Sequence, residues 1–189
     1  MKNIKLFIFL MISQSSFSQV IKDLDMDNIK DSVFFNLESR KIICKLSTIN
    51  FKPIYSKPVI NDEFNSGIRE TKNGFEFYVN YMRAGFANQF RYEKKDKKVR
   101  LIGMSRYELG SANHNGSGKS SVNLLTNDYI GEWNHYDEKN EKLIQLPTIK
   151  SKMFFAKMFL ENYDGNYQVQ YTDKCSELYY EQEKKMKTP

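Results

Sequence analysis

The chain holds 189 residues, with 29 Lys and Arg against 23 Asp and Glu, two cysteines and two histidines. That length suits one domain preceded by a leader, and the two cysteines and two histidines are too scattered to compose a zinc site. Losing Lys2 and Lys5 with a leader would lower the formal excess charge from +6 to +4, a mild basicity that argues for no anionic partner.

Lys2 and Lys5 flank the start of an apolar run, Leu6 to Ile12, that is too short to cross about 30 Å of hydrocarbon as a mature helix. Ser16 and Ser18 supply the small residues that a signal peptidase accepts at positions −3 and −1 of a cut before Gln19. Residues 1–18 are therefore expected to be a signal peptide, and no cysteine stands at the cut to carry a lipid. The mature chain, 19–189, is expected to be a single periplasmic or secreted domain with no integral membrane segment. No internal linker or repeat divides it.

Next comes an acidic run. Asp23, Asp25, Asp27 and Asp31 occupy positions 1, 3, 5 and 9 of a short loop, with Ile29 at position 7. A hard divalent cation takes six to eight oxygen ligands, and alternate residues of a tightly curled segment can aim their oxygens at one centre. The alternative is a metal-free acidic turn whose carboxylates cap their own backbone.

The remainder reads as β-hairpins. Val33 to Asn36 and Lys41 to Leu46 flank a polar bend at 37–40, and Ile42, Cys44 and Leu46 share one face of the second strand. Pro53 and Pro58 bracket a segment that belongs at a sheet edge. Asn73-Gly74 predicts a type I′ turn leading into Phe75 to Tyr81, with Phe75, Phe77, Val79 and Tyr81 inward. Gln89 to Glu93 and Val99 to Met104 are joined by the lysine-rich stretch 94–98, a solvated tip rather than a nucleic-acid contact. Ser121 to Thr126, Tyr129 to Tyr136 and Leu143 to Leu146 continue the pattern. The stretch 152–160 fits a helix or a strand equally, and a frayed helix with a disordered end is expected from Glu177 onward. The fold class expected is mainly β, with antiparallel hairpins in a sandwich-like or propeller-like domain and little helix.

The pattern D-x-D-x-D-x-x-x-D at Asp23–Asp31, running straight into Ser32-Val33-Phe34, resembles the calcium loop of FG-GAP and VCBS-type secreted proteins over about eleven residues. The resemblance implies a structural Ca²⁺ held by the side chains of Asp23, Asp25, Asp27 and Asp31 and by the carbonyl of Ile29. Those loops usually hold Gly at positions 4 and 6, where this chain has Met26 and Asn28; Asn tolerates a left-handed bend, and Met26 must point outward. An EF-hand would need a bidentate Glu at position 12, which is Phe34.

Cys44 and Cys175 are candidates for a disulfide in an oxidising compartment, with a buried Cys44 and a loose thiol at Cys175 as the other reading. Ser117-Gly118-Lys119-Ser120 imitates part of a phosphate-binding loop, but the glycine that the full motif needs five residues before Gly118 is Asn113, so a polar surface loop is expected. No catalytic motif is written in the chain. Glu132 and His135 would face opposite sides of a strand, so no enzyme is expected. The function expected is a calcium-stabilised binding module for a protein or glycan outside the cytoplasm. It would present Arg83 to Asn88 and Ser111 to Ser120 as loops, with Arg83, His114, Asn115 and Lys119 as candidate contact residues. A periplasmic inhibitor or immunity-type protein is one specific form of that reading. A structural or adhesin-like surface component is the alternative, and nucleic acid is excluded as a partner.

Overall fold

The computed structural model describes residues 19–59 and 65–187, with the side chain of Lys187 excepted. The signal peptide expected at 1–18 lies outside the described residues, as does the extreme C-terminal end.

Alternating burial produces two antiparallel sheets. The first has four strands in sequence order: β1 (Gln19–Lys22), β2 (Asp31–Asn36), β3 (Lys41–Lys45) and β4 (Pro53–Tyr55). Two prolines explain why β4 ends that sheet: Pro53 opens the strand without a backbone donor, Pro58 lies just beyond it, and β4 pairs with β3 alone. The second sheet is built from β5 (Asn65–Thr71), β6 (Gly74–Asn80), β7 (Ala84–Glu93), β8 (Lys98–Glu108), β9 (Gly118–Asn123) and β10 (Asp128–Asp137). The far side of β10 is shared by β11 (Lys142–Gln145) and β12 (Ile149–Lys152), one on each half. One helix, α1 (Asn166–Lys187), closes the fold.

The arrangement is sandwich-like, as expected, and the propeller-like alternative falls with the two-sheet topology. The four-stranded sheet covers the β5–β7 end of the larger sheet's inner face, where Phe35 meets Phe77 at 4.9 Å between ring centroids. The helix covers the β8–β10 end. Its residues Tyr171, Cys175 and Tyr179 recur at i, i+4 and i+8 and so share one stripe. Tyr171 hydrogen-bonds Ser120 of β9 at 2.8 Å and packs on Tyr129, while Tyr179 packs edge-on against Trp133. The outer face of the larger sheet is covered by neither.

The chain corrects several expectations. The stretch 152–160 is neither helix nor strand: beyond Lys152 it runs without regular structure to an isolated bridge from Phe159 to Arg100 and a 3₁₀ turn at Leu160–Asn162. The helix begins eleven residues before Glu177, because Asp164 accepts the Asn166 N–H at 3.0 Å and caps the first turn. Residues 84–88 are not a loop but the start of β7, paired on both edges. Cys44 and Cys175 are not bridged. Cys44 lies on β3 inside the smaller sheet, Cys175 lies on α1 beside Ser120, and both are buried free thiols.

Gly74 also differs from expectation. The β5–β6 hairpin forms, but Lys72 and Asn73 are its two central residues, and Thr71 pairs with Gly74. Neither Asn73 nor Gly74 has positive φ. The glycine is needed for a close approach, because a methyl carbon at that position would collide with the carbonyl oxygen of Phe90 on β7. Gly74→Ala is therefore expected to destabilise by about 1–3 kcal/mol, the usual cost of overpacking, as a lower urea midpoint with an unchanged slope.

Candidate metal loop and the outer sheet face

The connection from β1 to β2 is a tight acidic curl. The carboxylates of Asp23, Asp25 and Asp27 each bring an oxygen to within 4.8 Å of the others. Backbone N–H groups help hold the carboxylates in place. Asp23 accepts from Met26 at 2.7 Å, Asp27 at 3.2 Å and Asn28 at 3.0 Å, and Asp27 accepts from Ile29 at 2.8 Å and from the Ser47 hydroxyl at 2.7 Å. Ser47 first, then the Ile29 N–H, hold the Asp27 carboxyl below the ordinary carboxylate range. These bonds are the self-capping expected of a metal-free turn. They leave lone pairs over, because an ionised carboxylate offers about four acceptor sites.

Asp25 differs. It is 4% exposed, its Oδ2 accepts from the Thr48 hydroxyl at 2.6 Å and from the Thr48 N–H at 3.4 Å, and its Oδ1 is fully buried with no hydrogen-bond donor among the described residues. A buried anionic oxygen without a donor is costly, and a cation is the partner that removes the cost.

Asp31, expected as a fourth ligand, stands outside this triplet. It is 1% exposed and its oxygens accept three backbone N–H groups: Leu24 at 2.7 Å, Asp25 at 3.2 Å and Ser47 at 2.8 Å. It is the bolt of the loop. Ile29 has an exposed side chain and donates its N–H to Asp27. Met26 points outward as expected, yet its backbone is left-handed as well, with φ of 68° beside 70° at Asn28. Positive φ is thus adopted at two positions filled by Met and Asn rather than glycine, and a bulky L-residue at Met26 bears strain.

Cys44 adds no chemistry. Burial, with the charges of Asp31 and Asp25 adding to it, pushes its thiol far up, so it stays protonated and unreactive.

The remaining candidates divide. Arg83 sits at the β6–β7 hairpin tip and spends its guanidinium on the carbonyls of Gly110 (3.0 Å), Ser111 (3.1 Å) and Leu109 (3.4 Å). His114 Nδ1 lies 3.1 Å from the Leu109 carbonyl, and Asn115 Oδ1 accepts the Tyr136 N–H at 2.8 Å. These three pin the connection from β8 to β9. Ser117 precedes β9, and Gly118, Lys119 and Ser120 lie on it, so the phosphate-loop imitation is a strand. Glu132 and His135 do face opposite sides: Glu132 pairs with Lys119 at 3.4 Å on the outer face, and His135 is buried with its Nδ1 2.9 Å from Glu183 of α1.

Sequence reasoning missed the outer face of the larger sheet. The register places Gly67, Tyr78, Ala87, Ser105, Ser121 and Ile130 in one row across β5 to β10. The four residues of that row on β7 to β10 line a depression of about 480 Å³, whose rim includes Tyr107, Lys119 and Glu132. A second depression of about 390 Å³ shares its floor at Ala87, Ser105 and Ser121. Only cross-strand register, which no local pattern fixes, reveals that row.

Asp31→Asn is expected to cost about 1.5–3 kcal/mol, the range for hydrogen bonds to a charged acceptor. Urea titrations should show this loss in chelator as well as in calcium, because the Asp31 carboxylate holds backbone N–H groups whether or not a metal is bound. Comparison of the chain with protein-family models, curated proteins and solved structures found no match, so the functional reading stands on this geometry.

Proposed function

We propose that this chain is an exported, calcium-braced binding domain, not an enzyme, acting outside the cytoplasm on a protein or glycan. The observation that carries the reading is Asp25 Oδ1, buried without a donor beside the converging carboxylates of Asp23 and Asp27. Ca²⁺ meets those oxygens at about 2.3–2.6 Å and tolerates irregular coordination, so it suits a loop that supplies three carboxylates and leaves places for backbone carbonyls and water. Mg²⁺, which demands near-ideal octahedral geometry and dehydrates reluctantly, suits it less.

The ion's role is structural. The loop joins β1 to β2 and is tied through Ser47 and Thr48 to the far end of β3, so closing it fixes three strands of the smaller sheet. Lys22, at the end of β1, reaches across to Glu70 and to the carbonyls of Thr71 and Lys72 on the larger sheet. No helix among the described residues is long and apolar enough to cross a membrane.

Calcium at 100 times its dissociation constant is expected to add about 2.7 kcal/mol to the native state. Thermal melts of residues 19–189 in CaCl₂ and in EDTA read this directly, and isothermal titration gives the affinity. Asp25→Ala combined with Asp27→Ala should erase the difference between the two melts while the protein still unfolds cooperatively in EDTA. Equal melting of the unmutated protein in both buffers would overturn the reading.

A further inference from the structure

The outer face of the larger sheet carries chemistry that the calcium loop does not use. Ala87, Ser105 and Ser121 form the floor of a trough running across the strands, and Gly67, Tyr78 and Ile130 sit in the same row. Tyr78 and Ile130 are four inter-strand steps apart, which is about 19 Å. One row over, the register aligns Asn80, Gly85, Tyr107, Lys119 and Glu132 along one wall.

Tyr107 is held flat on that wall. Gly85 lies opposite it on β7, and a methyl carbon there would fall 2.5 Å from the Tyr107 ring, so the ring rests on bare backbone. Its hydroxyl is tied to Asn80 Oδ1 at 3.3 Å, and the residue remains 37% exposed. An aromatic ring fixed in this way offers a stacking surface at little entropic cost on binding.

Charge decides the occupant. The cations bordering the trough on this face have carboxylates of their own: Arg69 pairs with Glu76, Lys119 with Glu132 at 3.4 Å, and Arg91 with Glu93 at 2.6 Å, while Arg106 is turned inward over Trp133. A polyanion gains affinity by neutralising unpaired cations, and this face offers none at those three positions. A folded protein partner would want a broad surface with bulky apolar and aromatic anchors, whereas the floor here is Ala87, Ser105 and Ser121. The floor strands β7, β8 and β9 are paired on both sides, so an added β-strand finds no edge there.

We propose that this trough binds an uncharged polysaccharide chain, laid across the strands, with a sugar ring stacked on Tyr107 and its hydroxyls bonded to Asn80, Ser105, Ser121 and the Lys119–Glu132 pair. The proposal rests on the reading of the chain as a binding domain and names the ligand class.

The test is affinity electrophoresis of residues 19–189 in gels containing laminarin, galactomannan, xylan or dextran, with dextran sulfate as the anionic comparison. At least one neutral polymer should retard the protein, and titration of that polymer should give an affinity unchanged between 50 and 500 mM NaCl. Tyr107→Ala should weaken it at least tenfold. Ser121→Arg, at an exposed position whose longer side chain fills the floor, should abolish it with an unaltered melting temperature. Retardation by dextran sulfate alone, no retardation in any neutral gel, or full binding by both variants would overturn the proposal. Recovery of a protein partner whose capture depends on Ser121 would do the same. Melting in calcium and in EDTA, run alongside, shows whether such a failure leaves the calcium-braced domain standing.

Discussion

The smaller sheet depends on the buried carboxylate of Asp31. A single ionised side chain, almost wholly out of water, accepts backbone N–H groups from Leu24 and Asp25 at the start of the acidic curl and from Ser47 beyond β3. Three such bonds satisfy a buried charge that would otherwise be prohibitive, and they fix two separated stretches of chain against the first residue of β2. The curl then has little freedom left, and Asp23, Asp25 and Asp27 must converge. Convergence of three like charges is itself unfavourable. The N–H groups that Asp23 and Asp27 accept offset part of that repulsion, and Asp25 is left with an oxygen that finds no donor among the described residues, which is the ground of the calcium proposal.

The rest of the architecture follows from how the inner face of the larger sheet is shared. Four short strands can cover only part of it, and the helix takes the remainder, bringing Tyr171, Cys175 and Tyr179 against Ser120, Tyr129 and Trp133. The polar atoms carried into that layer are mostly paired with one another. Tyr163 hydrogen-bonds the fully buried Asn88 at 2.5 Å, and burial pushes both the Tyr163 and the Tyr171 hydroxyls far up, so they remain neutral donors and acceptors. Burying both ends of the inner face leaves the outer face of the larger sheet open to water.

Much of this was legible in the sequence, for a physical reason in each case. The hairpins around residues 37–40, 94–97 and 138–141 follow from period-two alternation broken by polar turns, which is a local signal. The acidic curl was readable because its spacing is a backbone property, although the separate duty of Asp31 was not. Position 9 of a ligand pattern looks the same whether its carboxylate faces an ion or a ring of N–H groups. The helix start was hidden because Tyr and Val, indifferent helix formers, stand in its first turns. Gly74 misled for a different reason: Asn-Gly signals a turn strongly, but here the strand contact across to Phe90 claims the glycine, and the turn moves back one residue. The row of small residues on the outer face was invisible to any local reading, since its members come from separate strands.

That row is also where the chain departs from what a sheet prefers. Central strands favour β-branched and aromatic side chains on both faces, and Gly, Ala and Ser contribute little packing there. Yet Ala87, Ser105 and Ser121 stand side by side on β7, β8 and β9, while the opposite faces of the same strands carry Phe90, Met104 and Val122, all buried. The inner face supplies the stability that the outer face gives up. A conflict with local preference that spans several strands and leaves a depression is the mark of a surface shaped for contact, because folding alone would have filled it with larger side chains. Tyr107 makes the same point at the rim. A tyrosine laid on Gly85 covers backbone that a β-branched residue at position 85 would have covered at lower entropic cost, and what the glycine gains is a ring held flat toward solvent.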